Sequence, residues 1–190
     1  EGRASEAGPS EAGASEGGAS EGGGGTGIMV VRLCCPRPMA PDPFPLSREL
    51  LEAVLADRTS DRFVCELIWP RLGYRPDGEG QWLAGPQASE PWRGSFPREP
   101  QFIAERPASM ALTRSIAREH KQLLKQQLGF GGYRLHELYP RRTRRATAVN
   151  WLLAHLAARG ESLADTGPLP PLLDPPRDPV AGHPGDRPVV

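Results

Sequence analysis

Glycine and proline are so unevenly spread along these 190 residues that only the middle of the chain can build a core. Ten of the 22 glycines fall before residue 44, and eight of the 22 prolines fall after residue 160. Glycine raises the entropic cost of ordering a backbone and proline removes a main-chain donor. A segment crowded with either, and poor in large apolar side chains, therefore has little to offset the cost of folding. Three parts follow: a low-complexity N-terminal extension over residues 1–43, a globular domain over 44–160, and a Pro-rich tail over 161–190. Both ends are expected to be disordered, the tail extended and mobile.

A five-residue repeat organises the extension, with Ser5, Ser10, Ser15 and Ser20 each followed by Glu and Ala the only apolar side chain. Met29 and Met39 are both candidates for the true start. Three cysteines, two of them adjacent at Cys34 and Cys35, supply no disulfide framework. No run approaches the roughly 18 apolar residues of a membrane-spanning helix, so a soluble protein without a membrane partner is expected.

Within the middle part, Ser47 can cap a helix over residues 48–57 whose apolar face is Leu50, Leu51, Val54 and Leu55. A second helix over 61–69 follows Thr59-Ser60 and repeats the spacing with Phe63, Val64, Leu67 and Ile68. The pair reads as an αα-hairpin. Prolines at 76, 86, 91, 97, 100 and 107 exclude long helices between Gly73 and Pro107, yet Trp82, Trp92, Phe96 and Phe102 demand burial. An ordered, aromatic-pinned loop is predicted there, with a small hairpin around Asp77-Gly78-Glu79-Gly80. A third helix fits residues 116–128 before Gly129, and a last one fits 143–159 before Gly160. The fold class is mainly α: one small domain of about four short helices.

A formal net charge of zero hides a strong segregation. Residues 112–160 carry ten Lys and Arg against Glu119 and Glu137, whereas residues 1–27, 41–106 and 161–190 are each net acidic. The densest point, Pro140-Arg141-Arg142-Thr143-Arg144-Arg145, runs directly into the apolar pattern of the last helix. A helix start presents free N–H groups and a partial positive charge, so cations there cost about 0.3–1 kcal/mol each. A compensating anion is required, and two sources are open.

The first source is a partner phosphate. RNA or another polyanion would dock on Arg141, Arg142, Arg144 and Arg145, with Arg134, Lys121 and Lys125 widening the patch and Trp151 stacking on a base. This makes a non-catalytic binding module, for RNA rather than DNA because no helix-turn-helix signature is present. The second source is the chain's own acidic half, through Glu49, Glu52, Glu66 or Glu105, with Trp151 in the core. A competing function class is a protein-interaction or assembly module. There the basic face meets an acidic protein partner and Trp82, Trp92, Phe96 and Phe102 supply the anchors.

An enzyme acting on a phosphorylated small molecule ranks third, because no spacing sets two carboxylates apart for acid–base work. The glycine-rich run Leu128-Gly129-Phe130-Gly131-Gly132-Tyr133 follows a helix and lacks Gly-Lys-Ser/Thr, so it reads as a cap and turn. His120, His136 and His155 are isolated, His183 lies in the tail, and no metal-binding spacing occurs; neither a metal nor a cofactor is expected. Cys65 joins an apolar helix face and should be an inert, buried thiol.

Several runs together look familiar. Ser60-Asp61, Phe63-Val64-Cys65, Arg71-Leu72-Gly73-Tyr74, Leu112-Thr113-Arg114-Ser115-Ile116, Lys121-Gln122-Leu123-Leu124-Lys125, Leu128-Gly129-Phe130 with Gly132-Tyr133 and the block from Pro140 to Leu153 resemble a family of small proteins of cyanobacteria and plastid-bearing organisms. That family is defined as a domain of unknown function. The resemblance covers about residues 46–157. It implies a domain boundary and a plastid address, and no catalytic residue.

Overall fold

Both serines expected to start helices do so. The computed structural model describes residues 43–190. The expectations for the repeat, for a start at Met29 or Met39 and for Cys34 and Cys35 lie outside the described residues. Ser47 Oγ accepts the Leu50 N–H at 3.2 Å to open α1 (Arg48–Leu55), and Ser60 Oγ accepts the Phe63 N–H at 3.2 Å to open α2 (Asp61–Ile68). The connecting turn holds Asp57 at φ 60, a left-handed position that glycine usually fills.

Pro70 ends α2 in a single 3-10 turn (Pro70–Leu72), and the predicted hairpin follows. Strands β1 (Tyr74–Pro76) and β2 (Trp82–Ala84) pair antiparallel, with Tyr74 opposite Ala84 and Pro76 opposite Trp82. Asp77 Oδ1 closes the loop by accepting the Glu79 and Gln81 N–H groups at 2.8 and 3.1 Å.

The Pro-rich stretch then departs from expectation. Pro91 and Pro107 each sit in the first turn of a helix, α3 (Glu90–Ser95) and α4 (Arg106–Ser115), where the missing N–H costs nothing. The long helix expected over 116–128 does not form. Residues 117–122 offer no large apolar side chain to bury, so the chain turns at Ile116 and makes a 3-10 turn at Arg118–His120. Only Leu123–Leu128 remain helical (α5), closed by Gly129 at φ 64. The last helix, α6 (Pro140–Ala158), begins at the proline rather than at Thr143.

The protein is thus mainly helical, six α-helices with one two-stranded hairpin among the described residues. No helix among them is long and apolar enough to cross a membrane. Helix α6 runs through the middle and packs on α1, α2, α4 and α5. Ala148, Val149, Leu152 and Leu153 meet Leu50, Leu51, Val54, Val64, Leu67, Ile68 and Leu112 in one core. The aromatic stretch forms a wall of that core. Trp92 and Phe102 lie edge to face at 5.9 Å, Trp69 faces Trp82 at 5.6 Å, and Tyr74 Oη donates to the Phe96 carbonyl at 2.7 Å.

The tail is not loose. Its carbonyls accept the Arg48 and Glu49 N–H groups at the start of α1, from Ala164 at 2.8 Å and Asp165 at 3.2 Å. Farther on, the Leu173 N–H donates to the Arg58 carbonyl at 2.9 Å, and the Val190 N–H donates to the Ala104 carbonyl at 2.8 Å. The extended tail departs from the mobility expected of its proline content because the first N–H groups of α1 and the free carbonyls of Arg58 and Ala104 find partners on it.

Candidate functional site

The arginine block does not fan outward. Arg141 and Arg145, four residues apart and hence on one face of α6, are each only 1% exposed and point into the α1–α2 turn. Arg141 donates to Asp57 at 2.6 Å, to Asp61 at 2.8 Å and to Asp186 at 3.1 Å. Arg145 donates to Asp61 at 2.6 Å, twice to the Val54 carbonyl at 3.0 and 3.2 Å, and to both the carbonyl and hydroxyl of Thr59 at 2.9 Å. Planar guanidinium forks suit this layout because one group can reach a carboxylate and helix-end carbonyls together.

Desolvation works against Arg141, but Asp57 and Asp61 more than offset it and its pKa is raised. At Asp61 burial pushes the carboxyl pKa up against the opposing pull of Arg145 and Arg141. The two shifts favour the ion pair from one side and oppose it from the other. We take Asp61 as ionised, because each of its oxygens accepts from a guanidinium that carries its own charge, and a neutral carboxyl would leave two buried cations facing one carboxylate fewer.

The carboxylates that neutralise Arg141 and Arg145 therefore come from the same chain, from Asp57 and Asp61 and not from Glu49, Glu52, Glu66 or Glu105, and Asp186 of the tail adds a further contact to Arg141. The left-handed Asp57 fits this account. A glycine would relax the backbone there, but it would leave Arg141 without its shortest contact.

The other predicted site residues separate. Arg144 is partly buried and donates to the carbonyls of Ile103, Ala104 and Val190 at 2.9, 2.7 and 3.0 Å. Arg142 lies 5.6 Å over the Tyr133 ring and 3.4 Å from Glu137. Trp151, at 7% exposure, donates Nε1–H to Ser115 Oγ at 2.9 Å and stacks on His155, so it is not a platform for a base. Trp92 and Phe102 are buried and so are not available as partner anchors, while Trp82 and Phe96 are partly buried and pack against the core. Arg134, Lys121 and Lys125 remain exposed.

What the residues do bring together is a groove on the opposite face of α6, between that helix, the α5 segment and the loop after it. Its volume is 470 Å³. Ile116, Leu124, Phe130, Leu138 and Ala146 give it an apolar lining, Lys121 and Lys125 stand among the lining residues, and no carboxylate does. Asn150 fixes the far wall: its Oδ1 accepts the Leu124 N–H at 2.9 Å, capping α5 from outside, and its Nδ2 donates to the His120 carbonyl at 3.3 Å. Phe130 and Tyr133 meet edge to face at 5.0 Å. Beside the groove Leu138 is half exposed and Leu135 is 88% exposed. The sequence reads as a cap and turn over 128–133 and does not announce this groove, although Phe130, Tyr133 and Leu138 are large apolar side chains in a segment too short and glycine-rich to fold on itself.

The family described as a domain of unknown function (DUF1823) matches residues 45–157, more than half of the chain. The chain belongs to this family. It is also similar to a protein with a solution NMR structure, at 44% identity over 62% of this chain and 98% of that one, with a TM-score of 0.53. No curated protein matches. The family span opens beside the Ser47 cap and ends inside α6, so it holds Asp57, Asp61, Arg141, Arg145 and the whole groove, and it leaves out Asp186.

Cys65 shows no sign of chemistry. Its thiol is buried and pushed up to about 12 by desolvation, against the N–H groups of Phe102 and Ile103. Cys65 should stay unlabelled by a thiol reagent in the native protein at pH 8 and react fully in denaturant, as read by peptide mass mapping. Native labelling at the rate of a free thiol would show that this face opens.

Proposed function

We propose that the protein is a non-catalytic interaction module whose groove docks an acidic, amphipathic segment of a protein partner. One observation carries this: an apolar lining flanked by Lys121 and Lys125, with no carboxylate among the lining residues. An exposed cluster of that kind suits apolar anchors at helical spacing alternating with Asp or Glu. The polyanion alternative loses its core, since Arg141 and Arg145 already spend their donors on this chain and Trp151 is covered. Following the family resemblance of the sequence, the partner is sought among plastid proteins.

The test selects peptides from a displayed random library against the wild-type protein and the Lys121→Glu/Lys125→Glu variant. Wild type should enrich acidic peptides with Leu or Phe at three- and four-residue spacing, and the variant should bind them about tenfold or more weaker, the scale of two rim charges reversed. Amide shifts on titration should centre on Ile116, Leu124, Phe130 and Ala146. If instead a single-stranded RNA moves those amides with steep salt dependence and no acidic peptide is enriched, the proposal falls.

A further inference from the structure

On the other side of α6 the tail occupies a site that the family domain itself builds. Asp186 Oδ1 accepts the Asp61 N–H at 2.8 Å, and its Oδ2 accepts from Arg141 Nη2 at 3.1 Å and from the His183 N–H at 2.8 Å. Its side chain is fully buried. Two of those three donors, the guanidinium and the first N–H of α2, belong to the domain, and the third belongs to the tail's own turn. His183 adds a ring contact, with Nε2 3.0 Å from the Asp57 carbonyl.

The turn is shaped to this place. Gly182 has φ +84, and a Cβ there would stand 2.7 Å from Arg141 Nε and 2.7 Å from Asp186 Oδ2, so only glycine passes over the guanidinium. Charge points the same way. Without the tail, Arg141 and Arg145 balance Asp57 and Asp61; Asp186 adds a third carboxylate that neutrality does not need. Asp186 therefore behaves as a ligand and not as a counterion on which the buried pair depends. The family span ends at residue 157, before the tail, and the similar NMR protein is covered over 98% of its length by 62% of this chain, so that relative folds with a shorter chain than this one.

We propose that Arg141 Nη2 and the Asp61 N–H form a carboxylate-binding site of the domain, that residues 182–187 fill it in cis, and that an aspartate-bearing peptide turn binds there in trans when the tail is away. This site is on the face of α6 opposite the groove and does not depend on what the groove binds.

The test uses a fragment of residues 43–160, the full chain, and a fluorescent peptide of residues 178–190. The fragment should unfold cooperatively and bind the peptide saturably by anisotropy. Asp186→Asn in the peptide should weaken binding at least about tenfold, the scale of a lost charge-assisted hydrogen bond, and Gly182→Ala should weaken it to a similar degree because its Cβ would stand 2.7 Å from Arg141 Nε. The full chain should not bind it, because its own tail is in place. In the full chain, Asp186→Asn should speed hydrogen exchange of the amides after residue 182 and leave those of α6 unchanged. The proposal is overturned by a fragment that does not fold, by absent binding, by equal binding of the variant peptides, or by equal binding to the full chain.

Discussion

Replacing Arg145 with Met is expected to lower the unfolding free energy of the full chain by about 3–5 kcal/mol, read from urea denaturation. The cost comes from what is left behind more than from what is removed. Asp61 would keep one guanidinium in place of two, while the Val54 carbonyl and both Thr59 oxygens would lose their Arg145 donors in a buried turn. Arg145→Lys should recover little, since one ammonium cannot span a carboxylate, two carbonyls and a hydroxyl. Arg142→Met is the control. Its guanidinium is partly exposed at a long 3.4 Å contact, and its loss should change stability by less than about 1 kcal/mol. A drop below about 1 kcal/mol for Arg145→Met would mean that water reaches the pair. The comparison also bears on function: any loss of binding caused by substituting Arg141 or Arg145 reports unfolding before it reports contact, so groove variants must carry the functional test.

The caps at Ser47 and Ser60, the two helices they start and the hairpin at Asp77 were legible because each rests on local chemistry: a side-chain acceptor three residues ahead, a period of 3.6, a turn residue. The same locality misled at Pro107, where a residue that breaks helices in their interior starts one. It misled again at residues 117–122, where good helix propensity met no apolar neighbour to pack on. The arginine block is legible as an electrostatic problem, and the chain's own acidic half is one of its two solutions. The glutamates named for that role were the wrong ones, because Asp57, Asp61 and Asp186 reach Arg141 through a turn and a tail whose paths no local pattern encodes. The groove was less legible still, since it needs the chain to break between α4 and α5.

Gly73→Ala is the second substitution expected to act strongly, at about 2–6 kcal/mol. A left-handed backbone costs a non-glycine residue about 1–3 kcal/mol, and crowding in a packed site adds about 1–3 more. Gly73 has φ +90, and a Cβ there would stand 2.5 Å from the Ala88 nitrogen and 2.6 Å from the Gln87 carbonyl carbon, both main-chain atoms that no rotamer change can move. Relief would require residues 85–88 to lift away, breaking the 3.1 Å bond from the Gly85 N–H to the Gly73 carbonyl. That loop leads into α3, which holds Trp92 against Phe102. The damage should therefore appear first as altered near-ultraviolet dichroism of the tryptophans, with the far-ultraviolet helix signal retained until the urea midpoint falls. Gly78→Ala is the matched control: φ is +92, but nothing lies within 4 Å of its added Cβ. It should show the backbone cost alone, and an equal loss in both variants would assign the whole effect to φ and none to the closeness of Ala88.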